Sequence, residues 1–390
     1  NYLARYRGRS DPWIDLLLDD TPDPEGILAA KPTDRQLELF YNSAWTCLST
    51  SAQLMQWFPE YLDLRNRAPA SYTRDDLLAL KLYFEIAWMD PDFLNGPVAL
   101  PDGLVVDLTD VVNRDAYGRY TLAVGGLHKE PACIANCASK TGDAKTQCEA
   151  ACAFAFDDPA AAEALANRLV AENFKIMKNI VGIHKKLRYD PDARTGQIEI
   201  ATTPFYHPIL PLIADTDLMA KGQPYDPKPT RFAYLDDARA QVAKAVAFYQ
   251  GLFGQAPKGM WPGEGSVAEA GVDAFVRNGV KWIATDQQVL DNALKDMGQN
   301  VPTCFQCQPY RLDSDTVGGD GGDTSDEMAI VFRVTETSDK MGFKFQGYRG
   351  TDAAAEFMGD ISRMAPTFGG ADRLVTIILD GENAWESYSK

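Results

Sequence analysis

Three acidic residues stand at equivalent points behind three short apolar runs. Glu264 follows KGMW-Pro262-Gly263, Asp286 follows KWIAT, and Asp380 follows LVTIIL. If each run is a parallel strand, each carboxyl sits at the strand's C-terminal end. That is the edge where α/β sheets and barrels build active sites, because strand ends hold side chains rigidly around one crevice. Ser266 and Glu269 read as a capping box, which starts the next helix at Ser266 and confines Glu264 to a tight turn. The positive end of that helix favours an ionised Glu264, which suits a nucleophile or an electrostatic stabiliser. The apolar strand behind Asp380 predicts a desolvated carboxyl that keeps its proton, as a general acid requires. One ionised and one protonated carboxyl in one cleft is the arrangement glycoside hydrolysis needs.

Other residues fit the same cleft. Tyr206, Trp261 and Trp385 could stack on the apolar C–H faces of sugar rings. His207 precedes Pro208 in a loop and is a better substrate contact than His128 or His184. Asp286 is either a further substrate contact or a plain helix cap. Gln197 and Glu199 share one strand face, lining the lower cleft or facing solvent, whereas Trp282, inside a strand, reads as core. The three histidines are scattered, so no metal centre is expected, and a metal-dependent polysaccharide deacetylase is the weaker rival. No cofactor is required. The Gly/Asp loop at 311–327 could hold Ca²⁺ on its acidic residues from Asp313 onward, although a solvated surface loop is the plainer reading.

The elements that must position these residues follow from periodicity. Helical spacing of apolar residues covers 34–57 and 75–88, with Asp34 and Thr73 as N-caps, and a long alanine-rich helix spans 159–187. From residue 196 onward, β-rich runs (196–203, 258–261, 281–285, 328–334 and 374–379) alternate with helices (235–252, 266–278 and 352–364). This alternation predicts a parallel sheet, open or closed into a barrel. No Gly-rich phosphate fingerprint follows any of the runs, which weighs against a nucleotide fold.

The segment 128–156 reads as an insertion. Cys133 and Cys137, then Cys148 and Cys152, are spaced to share helix faces across a short turn. Bridges Cys133–Cys152 and Cys137–Cys148 would staple this hairpin; a four-thiolate zinc site is the rival, with unusual spacing. Cys304 and Cys307 read as a local bridge, a redox pair or half a metal site, and Cys47 as a core thiol. Paired cysteines favour the periplasm or the cell exterior.

The chain has 390 residues, 45% hydrophobic and 24% charged, enough for a sizeable core. Its 38 basic and 55 acidic residues give a net charge of −17. Such a field repels phosphate backbones and anionic lipid, so neither nucleic acid nor a membrane surface is an expected partner. No apolar run long enough for a membrane span is present.

Long stretches resemble glycoside hydrolase family 57: GQIEIATTPFYHPILPLIADT (196–216), GMWPGEGSVAEAGVDAFVRNGVKWIATDQQVL (259–290) and LVTIILDGENAWESY (374–388). Shorter likenesses lie at 11–18, 84–94, 332–343 and 351–361. The resemblance implies an α/β chain folded as an incomplete (β/α)7 TIM-like barrel across 1–390, with insertions at 128–156 and 311–327. It implies retaining chemistry on α-glucans, with Glu264 as nucleophile, Asp380 as acid/base and His207 as a cleft element. Hydrolysis and transfer to a second sugar, as in α-amylases, amylopullulanases and 4-α-glucanotransferases or branching enzymes, are both compatible. The family's His-Gln-Pro strand has no counterpart here, and the chain stops soon after Asp380. A piece of a longer polypeptide, lacking the first strand and the C-terminal helices, is expected. The alternative is a catalytically silent carbohydrate-binding or assembly subunit, with the cysteine hairpin as a protein contact.

Overall fold

The computed structural model describes residues 52–68, 71–190, 192–300, 304–313, 327–368, 372–381 and 388. The expectations for Asp34, Cys47, Trp385 and the loop 314–326 lie outside these residues. The chain divides into two compact units, Asn1–Ile183 with Ala384–Lys390, and His184–Asn383. No helix among the described residues is long and apolar enough to cross a membrane.

The first unit is built on the helices Pro59–Asn66, Arg74–Ala87 and the start of Pro159–Leu187, whose apolar faces share one core. Thr73 caps Arg74–Ala87 as predicted: its side chain accepts from the Asp76 backbone N–H, and Asp76 reaches back to the Thr73 N–H. Asp76 is fully buried, yet it also receives both Arg67 terminal nitrogens, at 2.5 and 2.8 Å, and the Phe154 N–H at 2.8 Å. These donors satisfy the oxygens of a carboxyl group that has no access to water.

The Phe154 bond joins that helix to the base of the cysteine hairpin. Strands Leu127–Lys129 and Phe154–Phe156 pair antiparallel and carry the helices Pro131–Cys137 and Gly142–Ala151 between them. The cysteines pair Cys133–Cys152 and Cys137–Cys148, with Cα–Cα distances of 5.7 and 5.8 Å. The sulfurs of Cys133, Cys137 and Cys152 lie within 4.8 Å of one another, and their pairing at bonding distance favours the bridges over the zinc alternative.

The second unit holds a four-stranded sheet in the order Gly259–Met260, Trp282–Asp286, Glu327–Arg333, Tyr310–Asp313. The first three are parallel and lie side by side in chain order; Tyr310–Asp313 is antiparallel. Single parallel bridges extend the row on both sides, Thr202 to Met260 and Thr376 to Arg333. Alternate residues face opposite ways. One face, with Met260, Ile283, Ile330 and Phe332, is buried under the helices Leu235–Phe253, Glu269–Val276 and Gln287–Asp296. The other face, with Trp282, Ala284, Ala329 and Val331, borders a cavity.

Several expectations are revised. The runs 196–203 and 374–379 contribute bridges only, and no closed barrel is formed among the described strands. The capping box at Ser266 does not form. Ser266 is extended, with its N–H on the Gly263 carbonyl, and the helix starts at Glu269 behind an uncapped Ala268. Residues 266–268 run as an irregular link between the turn and the helix.

Candidate active site

Glu264 sits in a single turn, Gly263–Gly265, between the strand Gly259–Met260 and the helix Glu269–Val276. Its backbone is left-handed, with φ 53° and ψ 24°. A non-glycine residue there costs on the order of 1–3 kcal/mol and persists only when its surroundings impose it. They do so here. A Cβ on Gly263 would lie 2.5 Å from the Pro208 carbonyl oxygen, so only glycine lets the two loops meet. The Gly265 carbonyl accepts from the buried Thr285 hydroxyl at 2.6 Å, which ties the turn to the next strand.

The opposing loop carries a second left-handed residue, His207, with φ 55°. Its Nε2 lies 3.4 Å from Glu264 Oε1, and its Nδ1 lies 2.9 Å from the Thr203 hydroxyl. The Glu264 side chain is 60% exposed, so it faces an open space rather than the core. Two strained residues held against each other, one a carboxylate and one an imidazole, mark a functional site better than either would alone.

Trp261 links this pair to Asp380. Its indole packs under Gly265, within 2.8 Å of where a Cβ would stand, and the Trp261 backbone N–H bonds the Thr202 carbonyl at 2.8 Å. The same side chain lines a cavity of about 670 Å³ with Trp282, Ala284, Val331, Ile378 and Asp380. That volume suits a small ligand, and the walls are almost wholly apolar. Asp380 itself is exposed, whereas the sequence predicts a desolvated carboxyl; the apolar strand stops one residue before it. Trp282, predicted to be core, is half-buried at this cavity, and its indole N–H donates to Glu199 Oε1 at 3.0 Å. Glu199 is thus tied to the strand Trp282–Asp286. The segment leading to Asp380 is held at its start by the Leu374 N–H on the Cys307 carbonyl, 3.0 Å, and Cys307 is bridged to Cys304.

Asp286 and Tyr206 are engaged elsewhere. Asp286 caps the helix Gln287–Asp296 through the Gln288 N–H, accepts from the Thr335 hydroxyl at 2.8 Å, and pairs with Arg333 at 3.2 Å. Burial works to lower the Arg333 pKa, but the Asp339 and Asp286 carboxylates outweigh it and hold it above its ordinary value. Arg333 also donates to the Ile378 carbonyl at 2.9 Å, a second hold on the Asp380 segment that sequence reading did not single out. Tyr206 is 70% exposed, and its hydroxyl accepts from Lys244 on the helix Leu235–Phe253. Gly263 and Arg333 carry no local signal, because their roles arise when distant segments meet; Thr203 acts within its own turn, four residues before His207.

The family described as Glycosyl hydrolase family 57 matches this chain over residues 153–390. Among solved structures, an α-amylase, AmyC from Thermotoga maritima, is 15% identical over 88% of this chain, with a TM-score of 0.31. A 4-alpha-glucanotransferase from Thermococcus litoralis is 16% identical over 54% of this chain, with a TM-score of 0.28. The chain spans 53% of the first of these and 32% of the second. No curated protein matches.

Proposed function

The chain belongs to glycosyl hydrolase family 57, and on that premise we propose that it carries the catalytic face of a retaining α-glucan hydrolase or transglycosidase. In this reading Glu264 attacks the anomeric carbon while Asp380 protonates the departing glycosidic oxygen. Asp380 then takes a proton from the incoming water, or from a sugar hydroxyl, as that acceptor releases the sugar from Glu264. Retention by this route needs the two carboxyls about 5–5.5 Å apart across the bound bond. One observation carries the proposal: Glu264 is held in a strained turn against His207, and the tryptophan packed under that turn also lines the cavity that Asp380 borders.

The apolar walls with two indoles suit the C–H faces of glucose rings, and the exposed carboxylate suits in-line attack. The parallel segments, adjacent in chain order, support one wall of a (β/α)7 barrel. The bridged cysteines support an oxidising compartment, periplasmic or extracellular.

Proton NMR of maltooligosaccharide turnover tests the reaction. The first product formed should have the α configuration at the new anomeric centre; a β product would exclude the double displacement. Azide added to Asp380→Ala should restore turnover and give a glycosyl azide of retained configuration.

A further inference from the structure

We propose that Thr203 is a positioning residue that donates its hydroxyl proton to His207 Nδ1 and thereby holds an Nε2–H toward Glu264. The inference rests on reading Glu264 as the nucleophile. A nucleophilic carboxylate is ionised and can only accept hydrogen bonds. His207 Nε2 stands 3.4 Å from Glu264 Oε1, the long separation common in empty sites. A lone pair on Nε2 would repel that oxygen, so in a neutral ring the proton belongs on Nε2. Nδ1 is then an acceptor, and the group 2.9 Å away is the Thr203 hydroxyl, which can donate to it. The hydroxyl and the carboxylate therefore hold the ring from its two ends.

The backbone makes this arrangement hard to replace. His207 is left-handed, and its N–H bonds the Pro204 carbonyl at 2.8 Å, closing the tight turn that returns the ring toward Thr203. Thr203 follows Thr202, which bridges to Met260 of the strand leading into Glu264. The donor, the ring and the carboxylate are thus referenced to one sheet edge. Bound in this way, the imidazole steers a Glu264 oxygen and disperses its charge without removing it, so the carboxylate stays ready to attack.

The chain has only three histidines, which makes the ring directly observable. Long-range ¹H–¹⁵N correlation on the full chain labelled at histidine, with His207 identified by loss of its signals in His207→Gln, reads the tautomer. A pyrrole-like Nε2 and a pyridine-like Nδ1 are expected at neutral pH. In Thr203→Val, which keeps the shape and removes the hydroxyl, the Nδ1 resonance should move downfield to that of a pyridine-like nitrogen without a donor; in Thr203→Ser it should return. A protonated Nδ1 in the unaltered chain, or an unchanged Nδ1 resonance in Thr203→Val, overturns the proposal. In turnover, Thr203→Val should lower kcat about tenfold to a hundredfold with KM nearly unchanged, and Thr203→Ser should recover most of it. Equal kcat in the unaltered chain and Thr203→Val would also overturn it. If the spectra behave as expected while the unaltered chain turns over no glucan, the assignment of function fails and the hydrogen-bond direction stands.

Discussion

A carboxyl directly behind an apolar run is a local pattern, and it makes Glu264 and Asp380 candidates. The conformation of Glu264 is set at longer range. The left-handed conformation of Glu264 is imposed by Gly263 lying against the Pro208 carbonyl, a contact between segments more than fifty positions apart. Gly263→Ala should therefore push the two loops apart, lowering stability by about 1–3 kcal/mol and turnover more steeply than stability. Thermal unfolding and kcat measured on the same sample separate the two effects. Asp380→Asn should cost about 10²–10⁴-fold in kcat, the usual range for loss of a general acid, and Glu264→Gln at least as much, with unchanged circular dichroism. Unchanged turnover in both variants would remove these residues from the mechanism. Asp286 illustrates the opposite case. Its position resembles that of the other two carboxyls, but a helix that needs a cap and an arginine on the neighbouring strand engage it first.

Elements were legible where the cue was local and lost where pairing was distant. The helices Arg74–Ala87, Pro159–Leu187, Leu235–Phe253 and Gly350–Met364 lie within a few residues of their predicted bounds. Thr73→Ala should remove about 1 kcal/mol of stability, and somewhat more if Asp76 is left with fewer donors, as read by chemical denaturation. Ser266 carries the same signature as Thr73, but a turn took precedence there. The runs 196–203 and 374–379 were read as strands from β-propensity, yet each makes only isolated bridges. A strand needs a partner along its length, and composition cannot supply one. The cysteine pattern was the clearest of all, because i,i+4 spacing on two short helices leaves a nested pairing as the natural fit. Reducing the hairpin bridges should cost about 2–4 kcal/mol, seen as a lower melting temperature with dithiothreitol. Alkylation before reduction should modify at most one thiol per chain.

At the scale of the whole molecule, composition excluded more than it identified. A net charge of −17 argues against polyanionic partners, and a neutral glucan is indifferent to that field. Strand-helix alternation implies the parallel row from Thr202 to Thr376 but leaves it open or closed, because closure depends on pairings that periodicity does not encode. Raising ionic strength should leave glucan affinity nearly unchanged, and a strong salt dependence in titration calorimetry would point to a charged ligand instead.

The placement of the two indoles has a practical consequence. Trp261 and Trp282 border the same cavity, and a sugar seated there would displace water from both. The protein thus contains an intrinsic optical probe of its own occupancy. Emission excited at the tryptophan band should move to shorter wavelength as maltooligosaccharide is added, and replacing Trp261 with phenylalanine should reduce that displacement while Trp282 keeps the remainder.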